Sequence, residues 1–212
     1  MSPNTFVQLA GSSEEYGMVL PEECPIKETN PLRPLSPYAV SKVATDYLGY
    51  QYAKSYQMNI LRTRTFNQTG PRRGEAFVDS NFVRQIIEIE MKKRDVVSHG
   101  NLSAIRDFTD VRDTVKAYWA LSEKKWNGEV LNICSGKGHT MESVLETLSS
   151  LSHAGIRTQE DKTRMRPSDV PILVGDNSRL KMYINWSPEI DWKQSLEDLL
   201  QYWRFKMTGR IS

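Results

Sequence analysis

An α/β fold built on a parallel sheet is the class this sequence predicts, and three stretches carry the prediction. T-F-V-Q-L-A at 5–10 is a short, mostly apolar run of strand formers that stops at Gly11-Ser12-Ser13, as a buried strand entering a loop does. Ser36 and Pro37 then supply an N-cap and a first helical residue, and no proline interrupts 38–56, so a long helix begins there. N-I-L-R-T-R-T at 59–65 follows as a second strand. Two strands joined by a helical crossover run parallel.

The remaining elements follow in order. F-N-Q-T-G-P-R-R-G-E at 66–75 is punctuated by Gly and Pro and reads as a loop, and 78–93 has helical periodicity. Short strands are expected at D-V-V-S-H and R-D-F-T, a helix at 110–123, a strand at E-V-L-N-I-C, and helices at 141–151 and 195–204. The Gly-Lys-Gly of 136–138 reads as a turn after a late strand. No internal repeat or low-complexity tract is present.

Composition narrows the function. With 212 residues, 39% of them hydrophobic, the chain suffices for one sizeable core or two small lobes. Its 28 Lys and Arg nearly balance 26 Asp and Glu, so the overall field favours neither nucleic acid nor a membrane surface. Bound anions must be met by local groups. No apolar run approaches the roughly 20 residues of a membrane span. The opening residues lack the pattern of a signal peptide, so a cytoplasmic location is expected. Cys24 and Cys134 are far apart, and His99, His139 and His153 are scattered, which predicts reduced thiols and no metal site.

The chemistry concentrates at S-P-Y-A-V-S-K, where Tyr38 and Lys42 stand four residues apart on one helix face. A phenol exchanges protons poorly at neutral pH, but a neighbouring ammonium and a helix N-terminus both favour the phenolate. The same spacing recurs at Tyr50/Lys54 and Tyr202/Lys206. Only Tyr38 lies in a first helical turn. Ser12 and Ser13 end the first strand, where open α/β sheets bind ligands, so a hydroxyl there can hydrogen-bond the oxygen with which Tyr38 exchanges a proton. Glu14 and Glu15 follow; taken alone, Ser-Ser-Glu-Glu is an ordinary solvated loop.

G-S-S-E-E-Y-G, S-P-Y-A-V-S-K, F-N-Q-T-G-P-R-R-G, N-L-S-A-I-R-D-F-T-D-V-R-D, E-V-L-N-I-C-S-G and R-M-R-P-S-D-V-P, in that order, resemble the extended short-chain dehydrogenase/reductase family. Within it the chain is similar to the reductases that make GDP-rhamnose from GDP-4-keto-6-deoxy-mannose, with the GDP-mannose 4,6-dehydratases as sister group. The resemblance implies the C-terminal part of a Rossmann-type parallel sheet plus a smaller α/β substrate-binding lobe. It divides the chain at 1–66, the remaining cofactor half with the Tyr/Lys helix, and 67–212, mainly the nucleotide-sugar lobe, with about 100–134 returning to the first part.

By position it makes Ser12, Tyr38 and Lys42 catalytic, Lys42 holding the nicotinamide ribose and lowering the tyrosine pKa, and Glu14 the counterpart of the dehydratases' acid/base glutamate. Thr65 and Phe66 join Tyr38 and Lys42 on the cofactor. Asn67, Arg72, Asn101, Arg106, Arg166 and Asp169 fall to the GDP-sugar, with Arg73 a further contact and Leu102 beside Asn101 near the base. A guanidinium fork suits a diphosphate better than a diffuse positive surface.

NADP(H) is expected over NAD(H), although no G-x-G-x-x-G or G-x-x-G-x-x-G turn occurs in these residues. The sequence therefore reads as an N-terminally truncated member: a fragment, a split gene product needing a partner chain that supplies the missing half, or a shortened protein that no longer turns over, with a homodimer the other partner expected. Its alternatives are a dehydratase or epimerase of nucleotide sugars and a non-catalytic nucleotide-sugar-binding fragment.

Overall fold

The computed structural model describes residues 5–165 and 170–209. Its strands are β1 (Val7–Ser12), β2 (Ile60–Thr65), β3 (Asn67–Thr69), β4 (Val97–His99), β5 (Ile105–Asp110), β6 (Glu129–Ile133), β7 (Gly138–Thr140), β8 (Thr158–Glu160) and β9 (Ile172–Leu173). Its α-helices are α1 (Pro37–Tyr56), α2 (Val78–Glu90), α3 (Val111–Ser122), α4 (Met141–Ser150), α5 (Ser178–Ile184) and α6 (Trp192–Thr208). The chain divides into two compact units, the first formed by 1–68, 106–138 and 172–188, the second by 69–105, 139–171 and 189–212. No helix among the described residues is long and apolar enough to cross a membrane, and none of their His, Cys, Asp and Glu side chains form a group of three or more able to hold a metal.

In the first unit β1, β2 and β6 form a parallel sheet in that order, the crossover between β1 and β2 being α1. The helix starts where the sequence places it, because the Ser36 side chain accepts the Ala39 N–H at 3.1 Å and Pro37 occupies the first position. It ends at Gln57, in the left-handed region at φ 53°. Gly49 seats α1 on the sheet: a Cβ there would lie 2.2 Å from Leu9 Cδ1. The sheet's other cover is apolar, with Leu61, Leu131 and Ile133 packed among Ala117, Leu121, Trp126, Leu180 and Trp186. Every residue of β2 is buried, including Arg62 and Arg64, so those two charges need partners inside. A further sheet has the order β3-β5-β7, with β9 beside β5.

The second unit is built on α2, α4 and α6, whose periodic apolar faces bury Phe82, Val83, Ile86 and Ile87, then Val144, Leu145 and Leu148, then Leu196, Leu199, Leu200 and Trp203. Arg204 of α6 is buried and grips Glu90 of α2 at 2.6 and 3.1 Å while donating to the Leu151 carbonyl. Burial works against ionised Glu90, but Arg204, Ser152 and the His153 N–H outweigh it and hold the carboxyl below its usual range. Its folded pKa lies below the unfolded one, so this stabilisation is present above the ordinary carboxylate range and is lost as pH falls through it. Arg204→Met is expected to cost about 3 kcal/mol at neutral pH. Urea denaturation at neutral and acid pH checks this; the penalty should shrink at the acid end.

Candidate active site

The C-terminal edge of the parallel sheet is a row of paired residues, Ser12 beside Thr65 and Thr65 beside Ile133. Parallel strands aim their chain ends at this edge, where open α/β sheets hold ligands. Ser12 leaves β1 in extended conformation and caps a single turn over Ser13–Glu15. Its Oγ accepts the Glu14 N–H at 3.2 Å and its own N–H donates to Glu15 Oε1 at 2.8 Å. Accepting uses a lone pair of the hydroxyl and leaves its hydrogen to be donated elsewhere. Gly11 is required here, since a Cβ would fall 2.3 Å from Glu15 Oε1 and 2.7 Å from the Thr63 carbonyl.

Tyr38 stands in the first turn of α1 with 53% of its surface exposed. One turn on, the Lys42 ammonium lies 5.7 Å from the Tyr38 ring centroid and donates to the Ala10 carbonyl at 2.8 Å. Lysine thus ties the tyrosine's helix to the strand that ends at Ser12. The two other Tyr/Lys pairs differ in place rather than in spacing. Lys54 lies 5.6 Å from the Tyr50 ring but donates to the Asn127 carbonyl, just before β6 begins, at the opposite edge of the sheet. Lys206 lies 4.2 Å over Trp203, not over Tyr202.

Beneath Ser12 is a group of buried charges. Arg64 Nε lies 3.2 Å from Glu15 Oε2 and 3.1 Å from Asp46 Oδ2, and Arg62 bonds Asp46 and the Gly128 carbonyl. The Tyr16 hydroxyl donates to Asn132 Oδ1 at 2.6 Å and accepts from Arg64. Burial pushes Glu15 up to about 7, with the Asp46 carboxylate adding to the shift and the Ser12 N–H and Arg64 opposing it. None of this was read from the sequence, although Ser12-x-x-Glu15 has capping-box spacing.

The first unit also holds Thr65, Phe66, Asn67 and Arg106. The Phe66 ring is core, 6.3 Å from the Tyr16 ring, and its N–H is taken by the Ile133 carbonyl, so any contact it makes with a ligand comes from its carbonyl. Asn67 and Arg106 are half-buried. Next to Arg106, Asp107 is an acceptor for four donors: the Ser135 N–H at 2.9 Å, its hydroxyl at 2.6 Å, and the N–H groups of Gly136 at 2.9 Å and Gly175 at 3.2 Å. Burial pushes Asp107 up to about 6 against those donors. Asp107→Asn would turn amide hydrogens toward backbone N–H groups and is expected to cost about 2–3 kcal/mol, read as a lower denaturation midpoint in urea. Gly136 has φ 78°, as the expected Gly-Lys-Gly turn requires.

Arg72, Arg73, Asn101 and Leu102 belong to the second unit. Arg72 is exposed at φ 71°. Arg73 donates from Nε to Asp79 at 2.8 Å, and its guanidinium lies 4.0 Å over the Phe77 ring. Asn101 Oδ1 accepts from the N–H and hydroxyl of Ser103. Arg166 and Asp169 lie outside the described residues. Cys24 and Cys134 are free thiols.

The parallel sheet, with Ser12 at the end of the strand to which Lys42 ties the Tyr38 helix, belongs to an extended short-chain dehydrogenase/reductase, a family of NAD(P)-dependent enzymes that act on nucleotide sugars. The family described as GDP-mannose 4,6 dehydratase matches residues 2–199, and the chain belongs to it. GDP-6-deoxy-D-mannose reductase of Pseudomonas aeruginosa is 32% identical over 204 residues, which are 96% of this chain and 67% of the relative. GDP-mannose 4,6 dehydratase 2 of Arabidopsis thaliana is 32% identical over 87% of this chain and 49% of its own length. The chain thus spans between about half and two thirds of these curated relatives. Among solved structures, RMD from Pseudomonas aeruginosa complexed with NADPH superposes with a TM-score of 0.88 at 31% identity, covering 94% of this chain and 66% of that one. UDP-N-acetylglucosamine 4-epimerase from Methanobrevibacter ruminantium, in complex with UDP-N-acetylmuramic acid, gives 0.84 at 26% identity, covering 95% and 63%.

Proposed function

We propose that this chain carries the catalytic and sugar-handling part of an NADPH-dependent reductase that converts GDP-4-keto-6-deoxy-D-mannose to GDP-D-rhamnose. The observation that carries the reading is Lys42, whose ammonium is bonded to the Ala10 carbonyl at 2.8 Å beside Tyr38. That donor set suits a nicotinamide ribose, which offers hydroxyls to an ammonium and a phenol. The cofactor when bound supplies the hydride that reaches C4. All other work falls to side chains. Tyr38 gives its phenolic proton to the ketone oxygen as the carbonyl is reduced, Lys42 stabilises the phenolate left behind, and the Ser12 hydroxyl donates to the same oxygen. The half-exposed phenol recovers its proton from solvent. Thr65 and the Phe66 main chain are assigned to the nicotinamide end.

Asn67 and Arg106 are assigned to the diphosphate, where a guanidinium binds two oxygens at once. Arg72, Asn101, Arg166 and Asp169 complete the assignment to the GDP-sugar. NADPH is preferred over NADH on the likeness to RMD, whose structure is complexed with NADPH.

A second reading, a GDP-mannose 4,6-dehydratase, is favoured by Glu14, an exposed carboxylate two residues from Ser12. Product analysis separates the two. Supplied with the keto sugar and NADPH, the reductase yields a GDP-deoxyhexose. A dehydratase instead turns GDP-mannose into the keto sugar, and accumulation of that product alone would overturn the reductase assignment. Saturable binding of both ligands without turnover would indicate a binding protein.

A further inference from the structure

Glu15 takes no part in the reaction scheme, yet it lies directly under one of its residues. Its carboxyl is fully buried, one oxygen holding the Ser12 N–H at 2.8 Å and the other reaching Arg64 Nε at 3.2 Å. Arg64 Nε also lies 3.1 Å from Asp46 Oδ2, so the two buried carboxyls converge on a single N–H. Two like charges that meet on one donor away from water ionise together only at a cost, which favours a proton on one of them. Asp46 stands on α1 one turn beyond Lys42. The line from Ser12 through Glu15, Arg64 and Asp46 therefore ends on the helix that carries Tyr38 and Lys42.

The surroundings favour one retained proton. From β2 come the guanidinium groups of Arg62 and Arg64, from α1 Asp46 and Lys42, and from the segment between β1 and α1 the Tyr16 phenol and Glu28. Lys42 is half-buried and within reach of solvent, which screens its charge from the buried group, and the phenol is held neutral by burial. Of the buried charges, two are positive and three, Glu15, Asp46 and Glu28, are carboxylates. The cluster is neutral when one carboxyl stays protonated, and a buried unpaired charge is what such a site avoids.

We propose that Glu15 and Asp46 share one exchangeable proton and act together as a positioning pair that couples its gain and loss to the placement of Ser12. With the proton present, the two carboxyls attract and draw the end of β1 toward α1. When solvent takes it, the carboxylates repel while Glu15 holds the Ser12 N–H more strongly. The functional meaning rests on the reading of Ser12 and Tyr38 as catalytic; the coupling itself is a property of the free chain.

The test is an amide 15N and 1H titration of the free chain from about pH 5 to about pH 9, a range that brackets the ordinary and raised carboxyl values. The Ser12 amide is expected to titrate with a midpoint of about 7. Glu15→Gln keeps an oxygen for the Ser12 N–H but cannot ionise, so its Ser12 amide should be flat with pH. Asp46→Asn removes the like charge and should lower the midpoint by about one unit or more. A wild-type Ser12 amide that does not move, or one that titrates unchanged in Glu15→Gln, overturns the proposal. No substrate enters this measurement, so a chain that reduces no keto sugar counts against the proposed function and leaves the result on the pair standing.

Discussion

Arg64→Met is expected to destabilise the chain by about 3–5 kcal/mol, the cost of removing one partner from a buried ion pair. Arg64 is 4% exposed and serves Glu15, Asp46, the Tyr16 hydroxyl and the Glu28 carbonyl at once. Methionine fills part of the space but leaves the two carboxyls facing each other without a cation between them. Urea denaturation followed by circular dichroism measures the change, with an unaltered m-value showing that the unfolding transition itself is the same. Arg94→Met is the control, because the Arg94–Glu88 pair sits nearer the surface and should be worth no more than about 1 kcal/mol. Equal penalties for the two would mean that the buried network does not hold β1 and α1 together.

Tyr38→Phe should lower the rate of ketone reduction by about 10²–10⁴-fold, the usual worth of a positioned proton donor. Since the ring is half-exposed and only its hydroxyl is removed, folding and affinity for the GDP-sugar should stay close to wild type. Tyr50→Phe provides the matched comparison: the same residue type and lysine spacing at the wrong edge of the sheet. A Tyr38→Phe protein reducing the keto sugar at the wild-type rate would remove Tyr38 from the chemistry.

The main sheet strands and the long helix were legible because their signals are local. Ser36 caps and Pro37 starts α1 just as written in the sequence, and the placement of Tyr38 in the first turn follows from that. The first strand runs from Val7 to Ser12 rather than from 5 to 10, because Gly11 and Ser12 continue the parallel ladder opposite Arg64 and Thr65. Their residue types suggest a loop, but tertiary pairing prevails over local preference. β3, inside the stretch 66–75 that reads as a loop, and β7, β8, β9 and α5 had no sequence signal, being elements of two to seven residues whose partners are remote in the chain.

Within the site, Ser-Ser-Glu-Glu taken alone reads as a solvated loop, whereas Glu14 is exposed and Glu15 is fully buried. That difference comes from Arg64, 49 residues away, and no window on the loop contains it. Asp107 was hidden for the same reason, its donors lying on Ser135, Gly136 and Gly175. The capping-box spacing of Ser12 and Glu15 was the one local trace.

The most direct test of the reductase assignment is transfer of label. The chain is incubated with NADPH deuterated at the transferable C4 position and with GDP-4-keto-6-deoxy-D-mannose, at concentrations where calorimetry shows both bound, and the nucleotide sugar is analysed by mass spectrometry. The expected result is a GDP-deoxyhexose carrying deuterium at C4 of the sugar, formed by the wild type and strongly diminished in Tyr38→Phe. Recovery of the keto sugar unreduced and unlabelled, with both ligands bound, would contradict the assignment.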